Sequence, residues 1–132
     1  MTKNSIPKPT EAELEILQIL WEYGPSSVRF VNDKLNELKA PSKKEIGYTT
    51  TLKLMQIMAE KDLATRNTDS RTHIYEASCS EKAVQQQLLR KFVDSTFRGS
   101  AMKLVMQALG NHKTSARELE EIKALIRKIE EE

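Results

Sequence analysis

A single cysteine in 132 residues leaves Cys79 without a partner in its own chain, so no disulfide framework holds this fold. A reducing, cytoplasmic setting follows, with Cys79 read as a small packing residue rather than a reactive thiol. Long apolar runs are missing as well. No segment approaches the roughly 18 consecutive apolar residues of a membrane span, and the stretch from Met1 to Pro9 lacks the apolar core of a signal peptide, so membrane insertion is not expected. The net charge of +2 is too small to announce a nucleic-acid partner by itself. Catalytic signatures are absent: there is no Gly-rich phosphate loop, no His-Glu-x-x-His, no cysteine pair and no Gly-x-Ser-x-Gly, and the chain is not read as an enzyme. His73 and His112 fall in different regions, so a shared metal site would need tertiary coincidence, and the acids scatter over helix surfaces where i, i+4 pairing is commoner than catalysis. No metal or cofactor is expected, and nothing repeats at a period of roughly 20 to 50 residues.

What remains is mostly helical punctuation. Thr10 and Glu13 form a capping box that starts a helix near Glu11, with Leu14, Leu17, Leu20 and Trp21 on one face and Gly24-Pro25 as its stop. Ser26 or Ser27 caps a second helix striped by Val28, Val31, Leu35 and Leu38, and Ala40-Pro41-Ser42 breaks it. Gly47 serves as N-cap of a third, from about Tyr48 to Lys61. Leu63–Arg66 and Thr72–Glu76 then read as two short strands around the turn Asn67–Ser70, anchored by Leu63 and Tyr75. Three short helices followed by a hairpin make a winged helix-turn-helix. From Ser80 the pattern becomes helical again: Glu81 to Phe97 carries Val84, Leu88, Leu89, Phe92 and Val93, Ala101 to Leu109 ends at Gly110 as a C-cap, and a last helix starts at Ser115 with Glu118 completing its box. The fold class is therefore mainly α, a winged helix-turn-helix DNA-binding domain over residues 1–79 followed by a C-terminal helical dimerisation region over 80–132. Leu88, Phe92, Leu119, Ile122, Leu125, Ile126 and Ile129 are the apolar residues that a second copy of the chain would cover.

The third helix carries the functional expectation. Thr51, Leu54, Met55 and Met58 follow the i, i+3, i+4, i+7 rule for a buried stripe, which turns Thr49, Thr50, Lys53 and Gln56 outward. Short hydroxyl, amide and ammonium groups of this kind suit base edges and phosphates, although first-turn hydroxyls also satisfy their own helix amides. Tyr48 could stack, bond a phosphate or pack on the second helix. Charge is concentrated here: residues 39–75 hold seven bases and four acids, whereas residues 1–38 hold four bases and six acids. Lys43 and Lys44 precede the helix where phosphates would pass, and Arg66, Arg71 and His73 belong to the wing, with Arg71 nearest its tip. Trp21 extends the apolar face of the first helix and is read as core. The rival from another class is a winged-helix protein-interaction adaptor that binds no specific DNA.

Several of these residues resemble one family closely. Thr10-Glu11-Ala12-Glu13-Leu14-Glu15-Ile16-Leu17, then Leu20-Trp21, then Tyr48-Thr49-Thr50 leading into Leu54 and Met58, and Ile74-Tyr75 on the second wing strand are similar to the BlaI/MecI repressors of penicillinase and methicillin resistance. The resemblance is clear over roughly residues 10 to 80. It implies a homodimeric repressor of transcription on a palindromic operator, with a wing that touches DNA and C-terminal helices that form the dimer. It also implies a regulatory protease that relieves repression by cutting in a segment corresponding to residues 98–103, where this chain lacks the family's Asn-Phe pair. Asp62 stands in place of the usual glycine after the recognition helix, and Ile57 where the family often carries arginine. The Cys-x-Cys pairs of copper-responsive relatives are missing, which argues against copper sensing.

Overall fold

Thr10 opens the first helix through reciprocal bonds: its hydroxyl accepts the Glu13 N–H at 3.1 Å while the Glu13 carboxylate accepts the Thr10 N–H at 2.9 Å. The computed structural model describes residues 5–69 and 71–132. Ser70, the last residue of the expected wing turn, and the first four residues of the N-terminal stretch lie outside these. Among the described residues the order is α1 (Glu11–Tyr23), β1 (Ser26–Ser27), α2 (Val28–Leu38), α3 (Tyr48–Glu60), β2 (Ala64–Asn67), β3 (Ile74–Ala77), α4 (Glu81–Thr96), α5 (Ala101–Asn111) and α6 (Ala116–Glu130). The chain divides into two compact units, one ending at Leu88 and one running from Leu89 to Glu132.

The first unit is a mainly helical winged helix-turn-helix. Its core joins Ile16, Leu17, Ile19 and Leu20 of α1 to Val28, Val31 and Leu35 of α2, Met55 and Met58 of α3, and Leu63, Ala64 and Tyr75 of the wing. Met55, Met58, Leu63 and Tyr75 are wholly buried. The apolar Met55, Met58 and Leu63 contribute about 1.5–3 kcal/mol each when fully removed from water, whereas the Tyr75 hydroxyl is buried without a hydrogen-bond partner among the described residues, which offsets part of the gain from its ring. Leu63 and Tyr75 thus anchor the wing to the helices. Trp21 packs at the core's margin and donates its indole N–H to the Cys79 carbonyl at 2.8 Å. Burial raises the pKa of the neighbouring Cys79 thiol above its ordinary value, which keeps it protonated near neutrality.

Several expectations change. The wing is a three-stranded antiparallel sheet in the order β1-β3-β2, with Ser26 and Arg66 both opposite Tyr75, because Ser26–Ser27 form an edge strand before α2 begins. Ser27 also caps α2, its hydroxyl accepting the Phe30 N–H at 3.1 Å. The wing strands start later than their composition suggests, at Ala64 and Ile74. Leu38 is 72% exposed, not part of the buried stripe; it ends α2 at the rim of a groove between α1 and α2, one turn beyond Leu35. Gly110 does not terminate α5, which runs through it to Asn111, with His112 as the C-cap. A glycine inside a helix costs only about 1 kcal/mol relative to alanine, and the helix closes beyond it with the His112 N–H bonded to the Ala108 carbonyl at 3.2 Å.

At the C-terminus of α3, the Leu63 N–H bonds the Met58 carbonyl at 2.8 Å and the Asp62 N–H bonds the Ala59 carbonyl at 3.2 Å. This pair of bonds requires a left-handed residue between helix and strand, and Asp62 supplies it at φ 66°. The Ser78 hydroxyl holds the Asp62 carbonyl at 2.7 Å. The first two turns of α4 lie within the first unit: Val84 is buried, and the Gln87 side-chain amide both accepts the Ile6 N–H at 3.0 Å and donates to the Ile6 carbonyl. The sequence-based boundary at residue 79 thus precedes the division between compact units by about two helical turns.

Candidate nucleic-acid interface

The orientation of α3 is set by two asparagines one turn apart on α2. Asn32, nearly buried, donates its side-chain amide to the Ile46 carbonyl at 3.0 Å and to the Thr51 hydroxyl at 2.8 Å. Asn36 closes around the same residue, donating to the Ile46 carbonyl at 2.9 Å and accepting the Ile46 N–H at 2.7 Å. Both backbone polar groups of Ile46, which leads into α3, are therefore held by α2. The far end of α3 is tied to the start of α1, because Lys61 donates to the Glu13 carboxylate at 2.8 Å. Burial alone would raise the Glu13 pKa, but the Lys61 and Thr10 bonds outweigh it and hold the carboxyl below its usual value. Neither asparagine nor the Glu13–Lys61 pair was singled out from sequence.

With Thr51, Met55 and Met58 committed to the core, Tyr48, Thr49, Thr50, Lys53 and Gln56 are exposed on the opposite face of α3. Gly47 caps the helix without a side-chain bond, and the Thr49 and Thr50 hydroxyls have no hydrogen-bond partner among the described residues. Capping does not consume them. They stand beside the open N–H groups and the positive end of the helix dipole, an arrangement suited to anions and acceptors.

A groove of about 480 Å³ adjoins this face, lined by Ser27, Val28, Arg29, Tyr48, Leu52, Arg71, Thr72 and His73. It brings the N-termini of α2 and α3 together with the wing. Arg29, which the sequence reading passed over, lies with its guanidinium carbon 5.2 Å from the centre of the Tyr48 ring, within cation–π range. Its only sequence signal is a base in the first turn of the helix preceding α3. Arg66 lies elsewhere, lining a depression with Pro25, Asn67, Asp69, Ile74 and Glu76. Lys43 and Lys44 sit exposed in the α2–α3 connection, where the Lys43 carbonyl accepts Lys39 Nζ at 3.1 Å. The Lys43 side chain borders the α1–α2 groove rather than the one beside the wing.

The family model described as the penicillinase repressor matches residues 9–128. The chain belongs to the penicillinase repressor family. Penicillinase repressors are DNA-binding regulators of transcription and not enzymes. A solved structure of a point mutant of Lactococcus lactis ZitR is similar at 23% identity, covering 99% of this chain and 80% of that one with a TM-score of 0.43. No curated protein matches the chain. Among the described residues no cluster of three His, Cys, Asp or Glu side chains could hold a metal, and no helix is long and apolar enough to cross a membrane.

In the second unit Phe92 packs edge-on to Phe97 at 5.5 Å and remains about half exposed. Leu119, Leu125, Ile126 and Ile129 are exposed along α6, and Ile122 is half-buried; Leu88, the last residue of the first unit, is also half-buried. Helix α5 adds exposed Met102, Val105, Met106 and Leu109, and neither α5 nor α6 has a buried residue.

Proposed function

We propose that this protein represses transcription as a cytoplasmic homodimer, each copy laying α3 in the major groove of one half of a palindromic operator. The observation that carries the reading is the outward face of α3: uncommitted Thr49 and Thr50 hydroxyls and the exposed Lys53 and Gln56 on a helix whose other face is core. Thr49, Thr50, Lys53 and Gln56 read base edges, while Tyr48, Lys43, Lys44, Arg66 and Arg71 hold phosphates or position the chain on them. Dimerisation is supported by the second unit, whose exposed apolar side chains on α5 and α6 exceed what a solitary soluble surface usually carries. Repression ends, in this reading, when a protease cuts within residues 98–103, at the α4–α5 turn and the start of α5, and separates the dimer helices from the DNA-reading unit.

Binding to duplexes enriched from a random pool tests the reading. Thr50→Ala or Lys53→Ala should weaken the enriched site by about 1–3 kcal/mol and relax preference at the contacted position. Leu125→Asp/Ile126→Asp should give a monomer by sedimentation and lose at least about 100-fold in affinity for the full palindrome, through lost bivalency. A full chain that enriches no sequence and binds without salt dependence would be the docking adaptor instead.

A further inference from the structure

Arg29 and Arg71 come from parts of the chain 42 positions apart, the first turn of α2 and the wing, yet they line one groove together with Tyr48 and His73. Among the described residues no acidic one lines it. Neither arginine has a carboxylate within ion-pair distance among the described residues, so two cations face the same space uncompensated. Arg29 is also preset. Its guanidinium carbon lies over the Tyr48 ring, 5.2 Å from the ring centre, and a cation held by an aromatic face keeps N–H donors free for a second partner. A planar fork of donors held in this way matches two oxygens of a phosphate.

We propose that Arg29, positioned by the Tyr48 ring, and Arg71 across the groove form a clamp for a backbone phosphate at the edge of the major groove entered by α3. The clamp deepens the DNA-binding reading and rests on it. Arg29 is the phosphate ligand supplied by α2, Arg71 the one supplied by the wing, and Tyr48 the residue that holds the first in place. Because a phosphate is the same on every nucleotide, the clamp sets how the helix is registered on DNA and leaves sequence preference to the α3 face.

Affinity of the full chain is measured over a salt series, on a duplex enriched from a random pool and on a scrambled duplex of equal length. Arg29→Ala should lower the salt slope by about 0.9 for each bound copy, so that a rise from about 50 to 200 mM salt costs the variant about threefold less per copy than the parent. The ratio of enriched to scrambled binding should stay at the parental value. Tyr48→Leu should reproduce the Arg29→Ala slope, Tyr48→Phe should return it to the parent's, and Arg29→Ala/Tyr48→Leu should lose no more than either single change. Thermal unfolding of each variant shows that the fold is intact. If the parent and Lys53→Ala behave as a DNA binder and its weakened form while Arg29→Ala keeps the parental slope, the clamp is wrong and the DNA reading stands. A Tyr48→Phe slope equal to that of Tyr48→Leu overturns the positioning role of the ring. A parent that binds neither duplex overturns both proposals.

Discussion

Replacing Asn32 with leucine tests whether the α2–α3 asparagine network holds α3 in place. The change keeps the number and branching of side-chain heavy atoms, though the methyls are bulkier, and removes the donor to the Ile46 carbonyl at 3.0 Å and to the Thr51 hydroxyl at 2.8 Å. Each hydrogen bond contributes about 1 kcal/mol net, and the two losses are unequal in what they leave behind. Ile46 keeps a donor in Asn36 at 2.9 Å, so its carbonyl stays paired. Thr51 is wholly buried and loses the donor its hydroxyl oxygen accepts from, which adds a desolvation cost of about 1 kcal/mol or more. Asn32→Leu should therefore cost about 2–4 kcal/mol, and Thr51→Val alone about 1–2 kcal/mol. In the double variant neither apolar partner strands the other, so the total should fall short of the sum by about 1 kcal/mol or more. Urea unfolding followed by fluorescence of Trp21, the chain's only tryptophan, reads this in the right place, since Trp21 belongs to the first unit and is bonded to the Cys79 carbonyl. Energies that add to within about 0.3 kcal/mol would refute the coupling and remove the reason for assigning α3's orientation to Asn32.

Further outcomes follow from the N-terminus of α1 and the C-terminus of α3. The Glu13 carboxyl is held below its ordinary pKa, so its contribution is fully present above the unfolded-state value and is lost as pH falls through the lower folded-state value. Glu13→Gln should flatten that part of the acid limb of stability against pH, and an unchanged acid limb would show that the pair contributes nothing. Lys61→Met strands the buried carboxylate; because the Lys61 side chain is one-third exposed, the loss should be about 1–3 kcal/mol at neutral pH, below the usual range for a fully buried pair. Asp62 sits at φ 66°, so Asp62→Gly should raise stability by about 0.5 kcal/mol or more, and Asp62→Val should lower it by about 1–2 kcal/mol. Equal midpoints in a denaturant titration would mean that the left-handed turn is not a determinant of stability.

What was legible in the sequence is what short-range chemistry decides. The Thr10–Glu13 and Ser115–Glu118 boxes are contacts three residues apart, and both form as written. The outward face of α3 could be read because Thr51, Met55 and Met58 fix the inward one within two turns of the same helix. Ser26–Ser27 could not be read as a strand, since two serines have no periodicity and become a strand only when Tyr75 and Ile74 come alongside from almost fifty residues away. Ser27 has two roles at once, edge strand and helix cap, and only the cap has a local signature. Glu13 shows the same division in one side chain: its bond to Thr10 follows from spacing, while its bond to Lys61, 48 positions on, depends on α1 and α3 packing together. Arg29 belongs with that second group. On α2 alone it is a solvated base in a first turn; beside Tyr48, with the wing folded back to bring Arg71 and His73 to the same groove, it becomes a donor facing the space a phosphate backbone would cross. Sequence periodicity therefore reaches the residues that would read bases, which share one helix, but not a site that would grip the backbone, because that site is made of three elements and exists only once the wing is docked.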